Sequence, residues 1–224
     1  MRHLKLLLIF ITLSQYALSE DFHYNYGIEG GINLSNVSTS NSSSNTLTHT
    51  SGTGGLYWEF FPKNWLSLVT GGFVVGKGYK ETSTRSVILN YFQLRGLGRI
   101  SLLRSPTYRF FIDLGPGADF AFQKGTKNFS EPPTMSNFRD FDLSLMGGIG
   151  FEADISKTTR VAFNLKYLQG VLNLVKNSTS SVKSNGILFT TAIQFSTESD
   201  RIEPTEERAR KYLDEKSSGQ KEEL

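Results

Sequence analysis

The sequence feature that most constrains the fold is residues 140–154, where polar and apolar side chains alternate. The apolar face consists of Phe141, Leu143, Leu145, Ile149, Phe151 and Ala153. The polar face consists of Asp140, Asp142, Ser144, Gly148, Gly150, Glu152 and Asp154, and Met146 is the exception to the alternation. A period of two residues is typical of a β-strand with one apolar face.

The length and polarity of this stretch favour a membrane strand. Strands of soluble proteins usually contain about 5–6 residues, whereas a strand that crosses a bilayer needs roughly 9–11. A soluble β-sandwich would bury a core where this stretch carries carboxylates and glycines. We therefore interpret 140–154 as one strand of a transmembrane β-barrel with a polar interior.

Eight segments of this kind follow one another, joined alternately by long polar loops and short turns. The predicted strands are 22–35, 54–61, 65–79, 87–103, 108–123, 140–154, 159–174 and 186–195. Bacterial outer-membrane barrels have short periplasmic turns and longer extracellular loops. The sequence therefore predicts an all-β fold, an eight-stranded antiparallel up-and-down transmembrane β-barrel over residues 20–195. The start of its first strand and the end of its last strand are both expected on the periplasmic side.

The two ends of the chain differ from the barrel. Residues 1–19 combine a charged start, a short apolar run and small residues before Ser19, which predicts a signal peptide cleaved after Ser19 and export. No later stretch approaches the roughly 18 consecutive apolar residues of a membrane helix. Residues 196–224 are highly charged and lack alternation, so we interpret them as a periplasmic tail, partly helical or disordered.

Composition excludes several kinds of site. The chain has no cysteine, which rules out disulfides, thiolate metal sites and lipid attachment to cysteine. The net charge of +3 is too small to indicate nucleic-acid binding. No phosphate-binding loop of the P-loop pattern occurs, and no cofactor or metal is expected.

Ten charged side chains fall on faces that we assign to the barrel interior. These are Glu29, Glu59, Arg95, Arg99, Arg109, Asp113, Asp119, Asp142, Glu152 and Lys166. An eight-stranded barrel has an interior just wide enough for side chains. We predict that these residues form a structural network of paired charges that fills a narrow barrel. The functional alternative is that they line a small polar pore or a ligand site.

Aromatic side chains lie near predicted strand ends or on outer faces, where a membrane barrel carries its interfacial girdles. The predicted girdle residues are Tyr24, Tyr26, Trp58, Trp65, Tyr79, Tyr108 and Tyr167.

Several glycine-rich motifs occur in a fixed order along the mature chain. They are GIEGGINLSN at 27–36, FVVGKGYK at 73–80, NYFQLRGLGR at 90–99, DLGPG at 113–117, DFDLSLMGGIGFE at 140–152, KYLQGVLNL at 166–174 and FTTAIQF at 189–195. In order and spacing they resemble the PorT-type outer-membrane β-barrel family, a group of small OmpX-like and OmpA-like barrels. The chain departs from that family at Arg95-Gly96, where a proline is usual, and in its C-terminal tail. The resemblance implies a barrel in a Gram-negative-type outer membrane, and fold alone transfers no role.

An enzymatic function is not expected. A hydrolytic site needs a nucleophile, a base within hydrogen-bond reach and an orienting group. The two histidines after residue 19, His23 and His49, fall at opposite ends of the predicted barrel and cannot share a site. A triad of His49 with a loop serine is the one arrangement left open.

We interpret the chain as an outer-membrane protein with a structural or surface-interaction role exerted through its extracellular loops. The expected partners are outer-membrane lipid, surface ligands at the loops and a periplasmic partner for the tail, which could be peptidoglycan or another envelope protein. The alternative is a soluble, lipocalin-like barrel that carries an apolar ligand. That fold would have apolar residues inside and polar residues outside, and patterning alone does not show which face is inside.

Overall fold

The computed structural model describes residues 24–39, 46–61, 65–105, 107–129, 135–176 and 181–196. The predicted signal peptide, His23 and residues 197–224 lie outside these ranges. The strands are β1 (Tyr24–Thr39), β2 (His49–Phe60), β3 (Leu66–Gly76), β4 (Tyr79–Lys80), β5 (Ser86–Arg104), β6 (Tyr108–Lys127), β7 (Phe141–Asp154), β8 (Thr159–Gly170) and β9 (Val182–Ser196). A short 3₁₀ helix covers Met135–Asn137. No helix in the described ranges is long and apolar enough to cross a membrane.

Eight long strands close into one antiparallel barrel. Each pairs with its neighbour along the chain, β3 pairs directly with β5, and β1 closes the ring against β9. The two-residue β4 pairs with Ser86 and Val87 at the start of β5. The predicted eight-stranded antiparallel up-and-down barrel is therefore confirmed, with β4 as an addition inside the segment that joins β3 to β5.

The two ends of the barrel differ in their connections. One end, the short-turn end, carries the β2–β3, β5–β6 and β7–β8 connections together with the start of β1 and the end of β9. The other, the long-loop end, carries the connections after β1, β3, β6 and β8. The strand ends at this side differ from the predicted ones. Paired neighbours extend β6 to Lys127 and β9 back to Val182, whereas β3 and β8 end earlier than predicted, at Gly76 and Gly170.

The apolar side of the sheet faces outward. In β7, Leu145 and Ile149 are 57% and 59% exposed, whereas Asp142 and Glu152 are 1% and 2% exposed. Met146, the exception to the alternation, points inward among other buried apolar side chains. This polarity is the reverse of the lipocalin-like alternative, which needs an apolar interior.

Most of the predicted girdle residues are on the outer surface. Exposed side chains are those of Tyr24, Tyr26, Trp58, Trp65, Tyr108 and Tyr167. The prediction is wrong for Tyr79, which is partly buried and packs against an apolar cluster at the long-loop end. Its position in β4, outside the eight long strands, removes it from the outer face.

Glycines make room for large rings inside the narrow barrel. A Cβ on Gly27 would lie 2.7 Å from the ring of Tyr57, and one on Gly71 would lie 2.3 Å from the carbonyl oxygen of Leu56 and 2.8 Å from the Cα of Tyr57. The Tyr57 ring therefore occupies space that only glycine leaves free.

We predict that Gly71→Ala destabilises the barrel by about 1–3 kcal/mol, because overpacking displaces backbone or side chains. The matched control is Gly96→Ala on the next strand, where a Cβ would have no heavy atom within 4 Å. Urea unfolding in detergent measures the stability of both variants. The folded fraction is read from the difference in gel mobility between folded and boiled protein. Equal stability of the two variants would contradict the packing argument.

Candidate functional site

All ten charged residues that the sequence assigns to the interior lie there in the structure. Each of the ten residues is at most 4% exposed. Strand alternation points them into the lumen, and the closed sheet then brings residues from distant strands together. They form three groups, stacked from the short-turn end to the long-loop end.

The group nearest the short-turn end joins Glu59, Arg99, Arg109, Asp113 and Glu152. Arg99 donates to both carboxylate oxygens of Asp113, at 2.8 Å from Nε and 3.0 Å from Nη2. Arg109 donates to Glu59 at 2.9 Å and to Glu152 at 2.8 Å. These bonds connect β2, β5, β6 and β7, so the group ties opposite walls of the barrel together.

Two neutral side chains donate further hydrogen bonds to the carboxylate of Glu59. The Ser67 hydroxyl donates to Oε1 at 2.7 Å, and the Gln194 amide donates to Oε2 at 2.7 Å. Glu59 is fully buried, so these bonds satisfy lone pairs that water would otherwise occupy.

The middle group centres on Glu29. It accepts a hydrogen bond from Arg95 at 3.0 Å and one from Lys166 at 2.8 Å, which link β1 to β5 and β8. The guanidinium of Arg95 also stacks 3.7 Å from the ring centroid of Phe73. A cation over an aromatic face gains electrostatic attraction that grows when both are desolvated.

The upper group contains a residue that the sequence analysis missed. Lys77 donates to Asp119 at 2.6 Å and to Asp142 at 3.3 Å, and it is 3% exposed. Apolar residues on both faces of the predicted strand 65–79 obscured the alternation there. Counting by twos from Ser67, which is also buried, places Lys77 on the interior side and would have found it.

The interior charges nearly balance. The buried residues in the described ranges include six acidic and five basic side chains. Each of the six carboxylates lies within 4 Å of a Lys or Arg nitrogen. Buried charges are tolerated when they are paired and hydrogen-bonded in this way.

An apolar cluster lies at the long-loop end, and we call it the apolar cap. Its buried members are Val87, Leu89, Tyr91 and Phe138, and Tyr79, Ala121, Phe129, Met135 and Val175 pack against them. Phe138 and Val175 form a backbone bridge between the loop after β6 and the loop after β8. The sequence pattern assigned both of these residues to solvated loops, and no local signal marked them as paired.

A small ion cluster lies on top of the cap. Lys124 donates to the Phe138 carbonyl at 2.8 Å and also bonds Asp140, and Lys176 approaches Asp140 at 3.4 Å. The hydrogen bonds from Lys124 and then Lys176 lower the pKa of the exposed Asp140 carboxyl. Asp140 is therefore ionised and engaged by two cations at neutral pH.

The two described serines nearest His49 form no triad with it, and the loop serines at 40 and 42–44 lie outside the described residues. The Ser35 hydroxyl donates to the backbone carbonyls of His49 and Gly78, and the Ser51 hydroxyl donates to the Gly76 carbonyl, so neither bonds the imidazole. In the described part of the chain, no group of three His, Asp or Glu side chains is arranged to hold a metal ion.

A closed antiparallel barrel with an apolar outer face and a charged interior is the architecture of outer-membrane proteins. The model of the family "outer membrane protein beta-barrel domain" matches residues 5–195. The chain belongs to this family, and the protein is located in the outer membrane. Because the longer loops of such barrels are extracellular, we expect the long-loop end to face the outside of the cell.

Solved structures with a similar fold include Ail, the attachment invasion locus protein of Yersinia pestis, in complex with the heparin analogue sucrose octasulfate: 13% identity over 77% of this chain and 99% of that chain, TM-score 0.41. OprG from Pseudomonas aeruginosa has 13% identity over 76% and 95%, TM-score 0.45. The outer membrane protease OmpT from Escherichia coli has 9% identity over 80% and 99%, TM-score 0.38. A search of curated proteins finds no match.

We predict that Asp113→Leu destabilises the barrel by about 3–5 kcal/mol, because it leaves Arg99 buried without its bidentate partner. Urea unfolding in detergent measures the change. Asp140→Asn, which removes an exposed carboxylate, is the control and should leave the unfolding midpoint nearly unchanged. A tolerated Asp113→Leu would show that Glu59 and Glu152 alone neutralise Arg99.

We also predict that His49 titrates below its ordinary pKa of about 6.5. Burial and then the charge of Lys80 lower the pKa of this imidazole. Since the unfolded chain binds the proton more readily, the contribution of His49 to stability falls as pH drops through about 6.5. The pH dependence of the imidazole NMR resonances measures the pKa of His49, and the variant His49→Gln identifies which resonances belong to it. The variant Lys80→Gln should raise the pKa of His49. A value at or above 6.5 would contradict the partly buried position of His49.

Proposed function

We propose that this protein is a rigid, non-conducting outer-membrane barrel whose long-loop end contacts molecules outside the cell. The observation that carries this proposal is the combination of a lumen crossed by ion pairs with an apolar cap at its long-loop end. A lumen crossed by such ties supports a scaffold more than a water-filled path. The surface available for contact is then the cap and its loops.

The interior network has a structural role in this proposal. Its hydrogen bonds join side chains that are far apart in sequence, such as Glu29 with Lys166 and Glu59 with Gln194. Such ties fix the relative position of the strands and hence of the loops that they carry. None of the ten residues is proposed to act on a substrate, and the protein is not proposed to be an enzyme.

Finer assignments belong to the same proposal. We propose that the chain is of the PorT type within its family, on the motif order given above, and that it consists of a signal peptide (1–19), a barrel (20–195) and a charged periplasmic tail (196–224). Sequencing the N-terminus of protein purified from outer membranes tests the first boundary, with Glu20 as the expected first residue. Deleting 197–224 without loss of assembly or of envelope partners would remove any role for the tail.

We predict that the protein inserted in planar lipid bilayers shows no unitary conductance at moderate voltage, because charged pairs bridge the lumen and the apolar cap lies at its long-loop end. The comparison is Lys77→Ala, which removes the cation between Asp119 and Asp142 beneath the cap. Regular conductance steps in the natural protein would favour the small-pore alternative instead.

The contact role is tested separately. When lipid-facing residues of the strands are changed, cells that display the protein should still bind a surface coated with the external ligand. They should lose this binding when the loops after β6 and β8 are shortened. Gel mobility before and after boiling confirms that each variant is folded. Undiminished binding after loop shortening would overturn the surface-interaction role.

A further inference from the structure

The long-loop end carries an excess of basic side chains outside the lumen. In the described residues of this end, the acidic side chains are Glu81 and Asp140 alone. The basic ones are Lys80, Arg85, Lys124, Lys127, Arg139, Lys176 and Lys183. We call these seven the basic rim.

The basic rim is organised by the apolar cap. The Arg85 guanidinium lies 5.9 Å from the ring centroid of Phe129, a cap residue. Lys127 pairs with Ser86, the residue next to Arg85. Arg139 and Lys176 directly follow Phe138 and Val175, the bridged pair of the cap. Cations from three loops are therefore mounted around one packed cluster.

Little negative charge opposes this surface among the described residues. Asp140 is already engaged by Lys124 and Lys176, so its charge is internally neutralised. Arg85, Lys127 and Arg139 are exposed. A surface of this kind attracts anions at long range and can bind sulfate or phosphate groups through the arginine forks.

The height of the rim indicates where the anion comes from. Phe122 is the last exposed aromatic residue on the outer face of β6, and Lys127 lies five residues further along the same strand. At about 3.3 Å per residue this is roughly 16 Å along the strand, or about 12 Å of height at the usual tilt of barrel strands. The headgroup layer of one leaflet is only about 5–8 Å thick. The upper rim therefore projects past the lipid headgroups.

We propose that the basic rim binds an external polyanion, a polymer bearing repeated sulfate or phosphate groups, on the outer surface of the cap. This inference rests on the proposed surface-interaction role and names the chemical class of its ligand. Binding uses several exposed cations at once, so affinity depends on the number of anionic groups and falls steeply with salt.

The test uses the full-length protein in nanodiscs of neutral lipid, with a fluorescent sulfated oligosaccharide and a fluorescent polyphosphate as probes. We expect saturable binding that weakens between low and high salt. The triple variant Arg85→Gln/Lys127→Gln/Arg139→Gln should weaken it about tenfold, since each exposed charge contributes modestly. Lys157→Gln, an exposed lysine in a turn at the short-turn end, is the matched control and should change nothing.

The variant Asp140→Asn should change the affinity for the polyanion in the opposite direction to the triple variant. Removing this carboxylate frees Lys124 and Lys176 and should strengthen binding several-fold, which loss of folding cannot imitate. Binding of neither probe, or equal binding by the triple variant, would overturn the inference. So would binding seen only in nanodiscs that contain anionic lipid, because the partner would then be a headgroup. In each of these cases the loop-shortening experiment still decides the proposed function independently.

Discussion

Charge pairing inside the lumen is the constraint on which the rest of the structure depends. The outer face must be apolar to meet lipid, so alternation sends the charged side chains of the spanning strands inward. A narrow lumen then forces those charges to neutralise one another across the barrel. The bond between Glu29 in β1 and Lys166 in β8 spans the seam where β1 pairs with β9, and the bond between Glu59 in β2 and Arg109 in β6 spans β3 and β5. Closure of the sheet therefore brings Glu29 and Lys166 together.

Aromatic rings and glycines fill the space that the ion pairs leave. The Arg99 guanidinium stacks 3.8 Å from the ring centroid of Phe111, whose ring in turn lies where a Cβ on Gly150 would be, at 2.2 Å. Tyr57, Phe73 and Phe111 thus each have a glycine opposite them on a neighbouring strand, at Gly27, Gly55 and Gly150. The glycines on the inner faces reflect this demand for volume, and the charges alone do not explain them.

Sequence periodicity was sufficient for the strands that cross the membrane, because lipid on one side and charge on the other impose a strict alternation, as in 140–154. It failed where that contrast disappears. Beyond the bilayer both faces meet water, so the upper part of β2 and the start of β9 carry polar residues on both sides and resemble loops. The pairing of Phe138 with Val175 joins two separate loops, and no local pattern encodes such a contact. Lys77 was missed for the opposite reason, since its strand is apolar on both faces.

The interior network and the loop after β8 meet at Asp142. This carboxylate bonds Lys77 in the lumen, accepts from the Ser184 hydroxyl at 3.3 Å, and accepts from the backbone N–H of Leu172 at 3.2 Å, in the loop after β8. The base of that loop is therefore held by the same charges that hold the barrel closed. A loop anchored in this way loses less conformational entropy when it binds a ligand. The buried network thus acts on recognition at the surface through preorganisation, although none of its side chains reaches the outside.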